Sequence, residues 1–137
     1  MQIYLDSSAL VKRAIRETES VALIEQIDEW VSEGSQLVSS TLAWIELTRT
    51  IRSRRESEPP YELIRLMDNA VAGIDESPMS DTVADIARRI GPATLRSLDS
   101  IHLATATLIG ADLVCAYDRR LLTSAEELGF RTLAPGT

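Results

Sequence analysis

The stretch RSLDSIHLATATLIGADLVCAYD, residues 96–118, holds a helix, a helix stop and a strand in one run. No residue from Ser100 to Ala111 carries a formal charge, and apolar side chains run nearly all round the helical wheel. A helix apolar on every side is a buried helix. Gly110 stands where a left-handed residue closes a helix, and DLVCA, residues 112–116, then reads as a short strand. Asp99 breaks the pattern, because it lies in the first turn of this helix between Leu98 and Ile101. An isolated carboxylate taken out of water is costly unless it is paired or neutralised. Its presence there asks for a partner.

The same grammar repeats outward from this stretch. Gly34, Gly73 and Gly129 also close helix-periodic segments, and short strand-like runs follow them: QLVSS (36–40), IDES (74–77) and FRTLA (130–134). QIYL (2–5) adds a strand at the start. Helices are predicted over 8–15, 19–33, 41–55, 60–72, 81–90, 97–109 and 118–128. The prolines of ESEPP (56–60) suit the opening of the fourth. Ser124 with Glu127 fits a capping box, a point at which the last helix is expected to break and restart. Strands alternating with helices predict a three-layer α/β/α domain with a mainly parallel sheet of four to five strands, a single domain over residues 1–137.

Composition narrows the classes. Aromatics make up 4% of the 137 residues, so the core is to be built from Leu, Ile, Val and Ala. No apolar run approaches the ~20 residues that span a bilayer, and the opening MQIYLDSS lacks the pattern of a signal peptide. Cys115 is the only cysteine, so no intramolecular disulfide is expected and a reducing cytoplasm is the expected compartment. A net charge of −7 argues against attachment to nucleic acid through overall charge. Lys12, Arg13 and Arg16, the group Arg49, Arg52, Arg54 and Arg55, and the pair Arg119 and Arg120 are then either solvated helix faces or a local basic rim.

In βαβ units, strand C-termini and helix N-termini share one edge of the sheet, where ligands bind. Asp6 directly follows QIYL, Glu46 lies early in the helix after QLVSS, Asp99 opens its helix, and Asp118 follows DLVCA. All four fall on that edge. Two carboxylates at 4 Å repel by about 4 kcal/mol at an effective dielectric of ~20, so a cation is wanted among them. Oxygen-only donors select Mg²⁺ or Mn²⁺, whereas zinc would want several His or Cys and the chain offers His102 and Cys115. Such an ion suits hydrolysis at a phosphodiester. The alternative is structural: Asp6 and Asp118 as helix caps, and Glu46 as a surface acid. Ser7 and Ser8 are either part of the cap or support for Asp6. His102 is expected to be packed and hydrogen-bonded, and Trp30 and Trp44 are either core residues or partner anchors. Absence of G-x-S-x-G, Walker A and G-x-G-x-x-G patterns removes serine hydrolase and nucleotide-cofactor readings.

The contexts IYLDSSALVKR, SSTLAWIEL, RSLDSIHLATA and AYDRRLL occur in this order, and the chain closes on EELGFRTLAP. Together they resemble the PIN-domain ribonucleases, most closely the VapC toxins of bacterial toxin–antitoxin pairs. The resemblance implies a Mg²⁺- or Mn²⁺-dependent endoribonuclease whose acids are Asp6, Glu46, Asp99 and Asp118, with Asp6 and Asp99 the principal metal ligands. It also implies a VapB-like antitoxin that obstructs the site, and a toxin homodimer. Arg13, Arg96 and Arg119 adjoin the acidic motifs and are the expected RNA phosphate contacts. One position departs: Ala116 stands where such toxins often carry Ser or Thr. Two rivals remain, a structure-specific DNA nuclease and a PIN-like interaction module with little catalytic activity, which the Ala116 departure favours. Aspartyl-phosphate folds need a lysine late in the chain, and Lys12 is the only one.

Overall fold

The computed structural model describes all of residues 1–137. Strand β1 (Gln2–Leu5) leads into α1 (Ser7–Ala14) and α2 (Ser20–Ser32), and β2 (Gln36–Ser40) into α3 (Thr41–Arg54) and α4 (Pro60–Val71). Strand β3 (Asp75–Ser77) leads into α5 (Asp81–Ala87) and α6 (Ser97–Leu108), and β4 (Leu113–Cys115) into α7 (Arg119–Glu127) and β5 (Arg131–Leu133). The five strands pair in parallel in the order β3-β2-β1-β4-β5.

The two-residue period of the strands makes this sheet the middle of three layers. Ile3, Leu5, Leu37, Leu113 and Cys115 join Leu10, Leu23, Ile27, Leu47, Ile51 and Leu66, so α1 to α4 cover one face. Tyr4, Val114 and Ala116 join Leu103 and Ala106 of α6 and Leu121 and Ala125 of α7 on the other. Trp30 is buried in the first cluster, and Trp44 packs against it half-buried.

Helix α6 is buried from Asp99 to Ala106 apart from Ile101. It tolerates the buried Thr105 because its hydroxyl donates to the Ile101 carbonyl at 2.8 Å, a bond the exposed Thr107 repeats to Leu103 at 2.8 Å. Gly110 closes it at φ 66°, and the Ala111 amide reaches back to the Ala106 carbonyl at 2.9 Å. The next amide, Asp112, donates to Gln2 and brings the chain into the sheet. A β-carbon at 110 would meet nothing within 4 Å, so backbone conformation alone selects glycine there.

Three expectations need correction. Helix α7 does not break at Ser124, because Leu121 and Ala125 are both buried on one face and a restart would turn Ala125 away. Helix α5 stops at Ala87, three residues before the expected 90. The Arg89 and Ile90 amides both bond the Ile86 carbonyl, and Ile90 tucks against the second cluster. The strands predicted from IDES, DLVCA and FRTLA are each trimmed to three residues.

Candidate active site

Strand β1 sends its connection toward β2, whereas β4 sends its own toward β5. The reversal lies between β1 and β4, and a crevice forms at such a point beyond the strand ends. Asp6 and Asp118 emerge on its two sides.

Each of these two aspartates is a helix N-cap, and each uses one oxygen for it. Asp6 Oδ1 accepts from the Ala9 amide at 3.1 Å and from the Ser8 hydroxyl at 2.6 Å. Asp118 Oδ1 accepts from the Arg120 and Leu121 amides at 2.8 and 3.4 Å. Capping and gathering at the edge are therefore compatible, since the second oxygen of each is free of its helix. Asp6 Oδ2 accepts no hydrogen bond within the chain. Asp6 is 4% exposed, and burial pushes its carboxyl above the ordinary aspartate range against the pull of His102, Ser8 and the Ala9 amide. Ser8 also accepts from the Tyr117 amide at 2.9 Å, tying the end of β4 to α1.

Glu46 lies in the second turn of α3, a helix capped by Ser40 through the Ala43 amide at 3.1 Å. Its Oε1 accepts from Ser7 at 3.2 Å and meets His102 Nε2 at 2.7 Å. His102 Nδ1 meets the Tyr4 hydroxyl at 2.6 Å, and that hydroxyl donates to Ser40 at 3.0 Å. Tyr4 and Ser40 lie on neighbouring strands and His102 on α6, so the chain of bonds links three elements. Burial alone would lower the His102 pKa. The Glu46 hydrogen bond and the charges of Asp6, Glu46 and Asp99 outweigh it and hold the imidazole above its ordinary value.

Asp99 is 8% exposed, and the partner its burial demands is Arg96. Arg96 Nε donates to Asp99 Oδ2 at 3.2 Å and Nη2 donates to Asp118 Oδ2 at 3.3 Å. One half-exposed guanidinium thus bridges two of the four acids. Arg119, also expected at phosphate, is exposed at the start of α7. Arg13 is engaged elsewhere in the chain: its Nη1 donates to the Ala70 and Ala72 carbonyls at 2.8 and 2.9 Å, closing the end of α4. Ala116 is fully buried among Tyr4, Leu103 and Leu121. Tyr4 and Ser40 were invisible as site residues in the sequence, because their only signal is proximity to His102.

The donors suit a hard divalent ion, being carboxylates with one oxygen of Asp6 unclaimed. As the side chains stand, no three of the His, Cys, Asp and Glu groups converge on one point. Arg96 pairs with Asp99 and Asp118, and His102 with Glu46. By the chemistry of their oxygen donors these residues fit such an ion.

Known proteins share this arrangement of elements. A match to the PIN domain family spans residues 3–127. The chain is 39% identical over 136 residues to Ribonuclease VapC47 of Mycobacterium tuberculosis, covering 98% of this chain and 97% of that protein. It is 40% identical over 135 residues to Ribonuclease VapC46 of the same species, covering 97% of each. Among solved structures, it superposes on M. tuberculosis VapC20, described as a sarcin-ricin loop cleaving toxin, with a TM-score of 0.69 at 11% identity, covering 97% of this chain and 99% of that one. VapBC2 from Rickettsia felis, bound to a DNA fragment from its promoter, gives 0.74 at 9% identity, covering 97% and 98%. These two likenesses speak for the fold, while the family match and the closer relatives speak for kinship: the chain belongs to the PIN-domain family, among its VapC-type toxins.

Proposed function

We propose that the chain is a Mg²⁺- or Mn²⁺-dependent endoribonuclease that hydrolyses RNA phosphodiester bonds at the edge holding Asp6, Glu46, Asp99 and Asp118. The observation that carries this reading is the unclaimed Oδ2 of a nearly buried Asp6 at a sheet switch point, on the same edge as Glu46, Asp99 and Asp118. The ribonuclease names of relatives at 39% and 40% identity support RNA as substrate.

Asp6 and Asp99 would hold the ion, with Glu46 and Asp118 completing the oxygen set. When bound, such an ion supplies Lewis acidity at the phosphate and lowers the pKa of water. The chain's own groups do the rest. Ser7 and His102 orient Glu46, Ser8 orients Asp6, and Arg96, once freed, faces the phosphate together with Arg119. The protein is proposed to act as the toxin of a pair and as a homodimer in the cytoplasm. Its VapB-like antitoxin is proposed to cover the acidic edge with a basic group, since a cation relieves the carboxylates' repulsion.

The Arg96 bridge favours a second reading, a module that holds RNA without cutting it, because the acids are already partly neutralised. Incubating the purified protein with tRNAs, structured RNAs and single-stranded DNA, in Mg²⁺, in Mn²⁺ and in chelator, separates the two. Cleavage that needs the ion and spares single-stranded DNA supports the nuclease. Binding without cleavage under every condition contradicts it.

A further inference from the structure

Two clefts flank the acids, and their charges differ. On the α1–α3 side a cleft of 290 Å³ is lined by Ser7, Ser8, Lys12, Glu17 and Arg54, among others. Both of its cations are spent within the chain: Lys12 pairs with Glu19 at 2.9 Å and Glu17 at 3.5 Å, and Arg54 with Glu17 at 3.4 Å. On the α6–α7 side a cleft of 440 Å³ opens on Asp99 and includes Arg96, Arg119, Arg120, Thr123, Ser124 and Glu127. Neither the Arg119 nor the Arg120 guanidinium is in an ion pair. Nine of the 14 basic residues make no ion pair, and Arg119 and Arg120 are the two of these that line the cleft opening on Asp99. The N-terminal amides of α7 are already capped by Asp118, so the arginine side chains are what the cleft offers an anion.

We propose that the α6–α7 cleft is the binding subsite for the RNA nucleotide adjoining the scissile phosphate on one side. Arg119 and Arg120 take its phosphate. Positions 120, 123, 124 and 127 share one face of α7, so Thr123 and Ser124 present hydroxyls to the sugar or base next to that phosphate. Glu127 lies at the end of this row, and its charge bars a second phosphate, which limits the subsite to one nucleotide. The volume matches that of small-ligand pockets, about 300–1,000 Å³. Substrate backbone is therefore gripped asymmetrically, on the α7 side and not on the α1 side.

The proposal rests on the RNA-cleaving reading, and binding without cutting tests it separately. Fluorescence anisotropy in chelator, with a labelled random-sequence single-stranded RNA of about 12 nucleotides, is run across a salt series. The double variant Arg119→Gln/Arg120→Gln should weaken binding at least ~10-fold at low salt and flatten log affinity against log salt by about 0.7 per phosphate lost. Lys12→Gln and Arg54→Gln should each change affinity less than about twofold, with the slope intact. Circular dichroism melts confirm that all variants are folded. An unchanged slope in the double variant, or equal losses on both sides, overturns the subsite. If RNA binds with the predicted asymmetry but is never cut in Mg²⁺ or Mn²⁺, the subsite stands and the nuclease reading falls.

Discussion

Asp6 and Glu46, on one half of the acidic edge, are held by hydroxyls, an amide and a buried imidazole, whereas Asp99 and Asp118 share one half-exposed guanidinium. The first arrangement is fixed. Breaking a buried hydrogen bond and leaving its partner unsatisfied costs about 1–3 kcal/mol, and His102 is tied at both ring nitrogens. The second is more movable at its Asp118 end, where both groups are about half exposed and such ion pairs contribute ~0.2–1 kcal/mol, while Asp99 is the buried end. The difference assigns different work to the two halves. Under the proposed function, the fixed half would position oxygens for an ion, and the movable half would keep its acids paired with Arg96 until an ion and a phosphate compete for them.

The largest expected effect falls on both halves alike. Asp6→Ala and Asp99→Ala should each lower single-turnover RNA cleavage in Mg²⁺ by at least ~100-fold, because a lost ligand removes charge stabilisation. Either variant cutting at near wild-type rate would remove that aspartate from the proposed ion site. The fixed half alone is probed by His102→Gln. Loss of an outer partner typically lowers metal affinity or activity ~10–100-fold, and a fall near 10-fold is expected, smaller for Tyr4→Phe, which leaves the Glu46 contact in place. A Tyr4→Phe loss larger than that of His102→Gln would contradict a chain ending on Glu46.

Smaller effects separate the halves through stability and ion binding. Asp6→Asn retains an acceptor for Ser8 and Ala9 while removing a charge that burial disfavours. In chelator it should melt about 3 °C higher than wild type, the shift made by roughly 1 kcal/mol in a domain of this size. A lower melting point would mean that the charge itself is needed for the cap. On the movable half, Arg96→Gln frees Asp99 and Asp118, and Mn²⁺ affinity measured by calorimetry without RNA should rise about threefold, under 1 kcal/mol. A fall in affinity would show that Arg96 supports the ion site instead of competing for it.

The smallest effect is in the pH dependence. Asp6 and His102 both have folded pKa values raised above their ordinary ones. Each therefore binds its proton more tightly when folded, so its contribution is complete below the unfolded pKa and is lost as pH rises through the folded value. In chelator, stability should decline with pH above ~6.5, the unfolded histidine value, and His102→Gln should flatten that decline. A rise with pH in the wild type would reverse the sign of the His102 environment.

Most of the fold was legible because its signals are local. Gly34 and Gly110 punctuate helices, and QIYL and QLVSS form strands with the expected bounds. Trimming of the later strands and the early end of α5 were not legible, because pairing length and the docking of Ile90 depend on distant neighbours. The acids could be gathered from sequence because topology places strand ends together. Their partners could not: Tyr4 and His102 are 98 residues apart, and Arg13 reaches 57 residues to the end of α4. Arg96 lies three residues from Asp99, close enough to be noticed, but its second bond crosses to Asp118.

The four acids are proposed to form one site for a hard cation. Isothermal calorimetry of Mn²⁺ into the wild type, Asp6→Asn, Asp99→Asn and the exposed control Asp85→Asn asks this without RNA. Binding should be saturable in the wild type and in Asp85→Asn, and at least ~10-fold weaker in the other two, a loss of about 1.4 kcal/mol or more. Mn²⁺ isotherms for Asp6→Asn and Asp99→Asn that overlay the wild type would contradict the account.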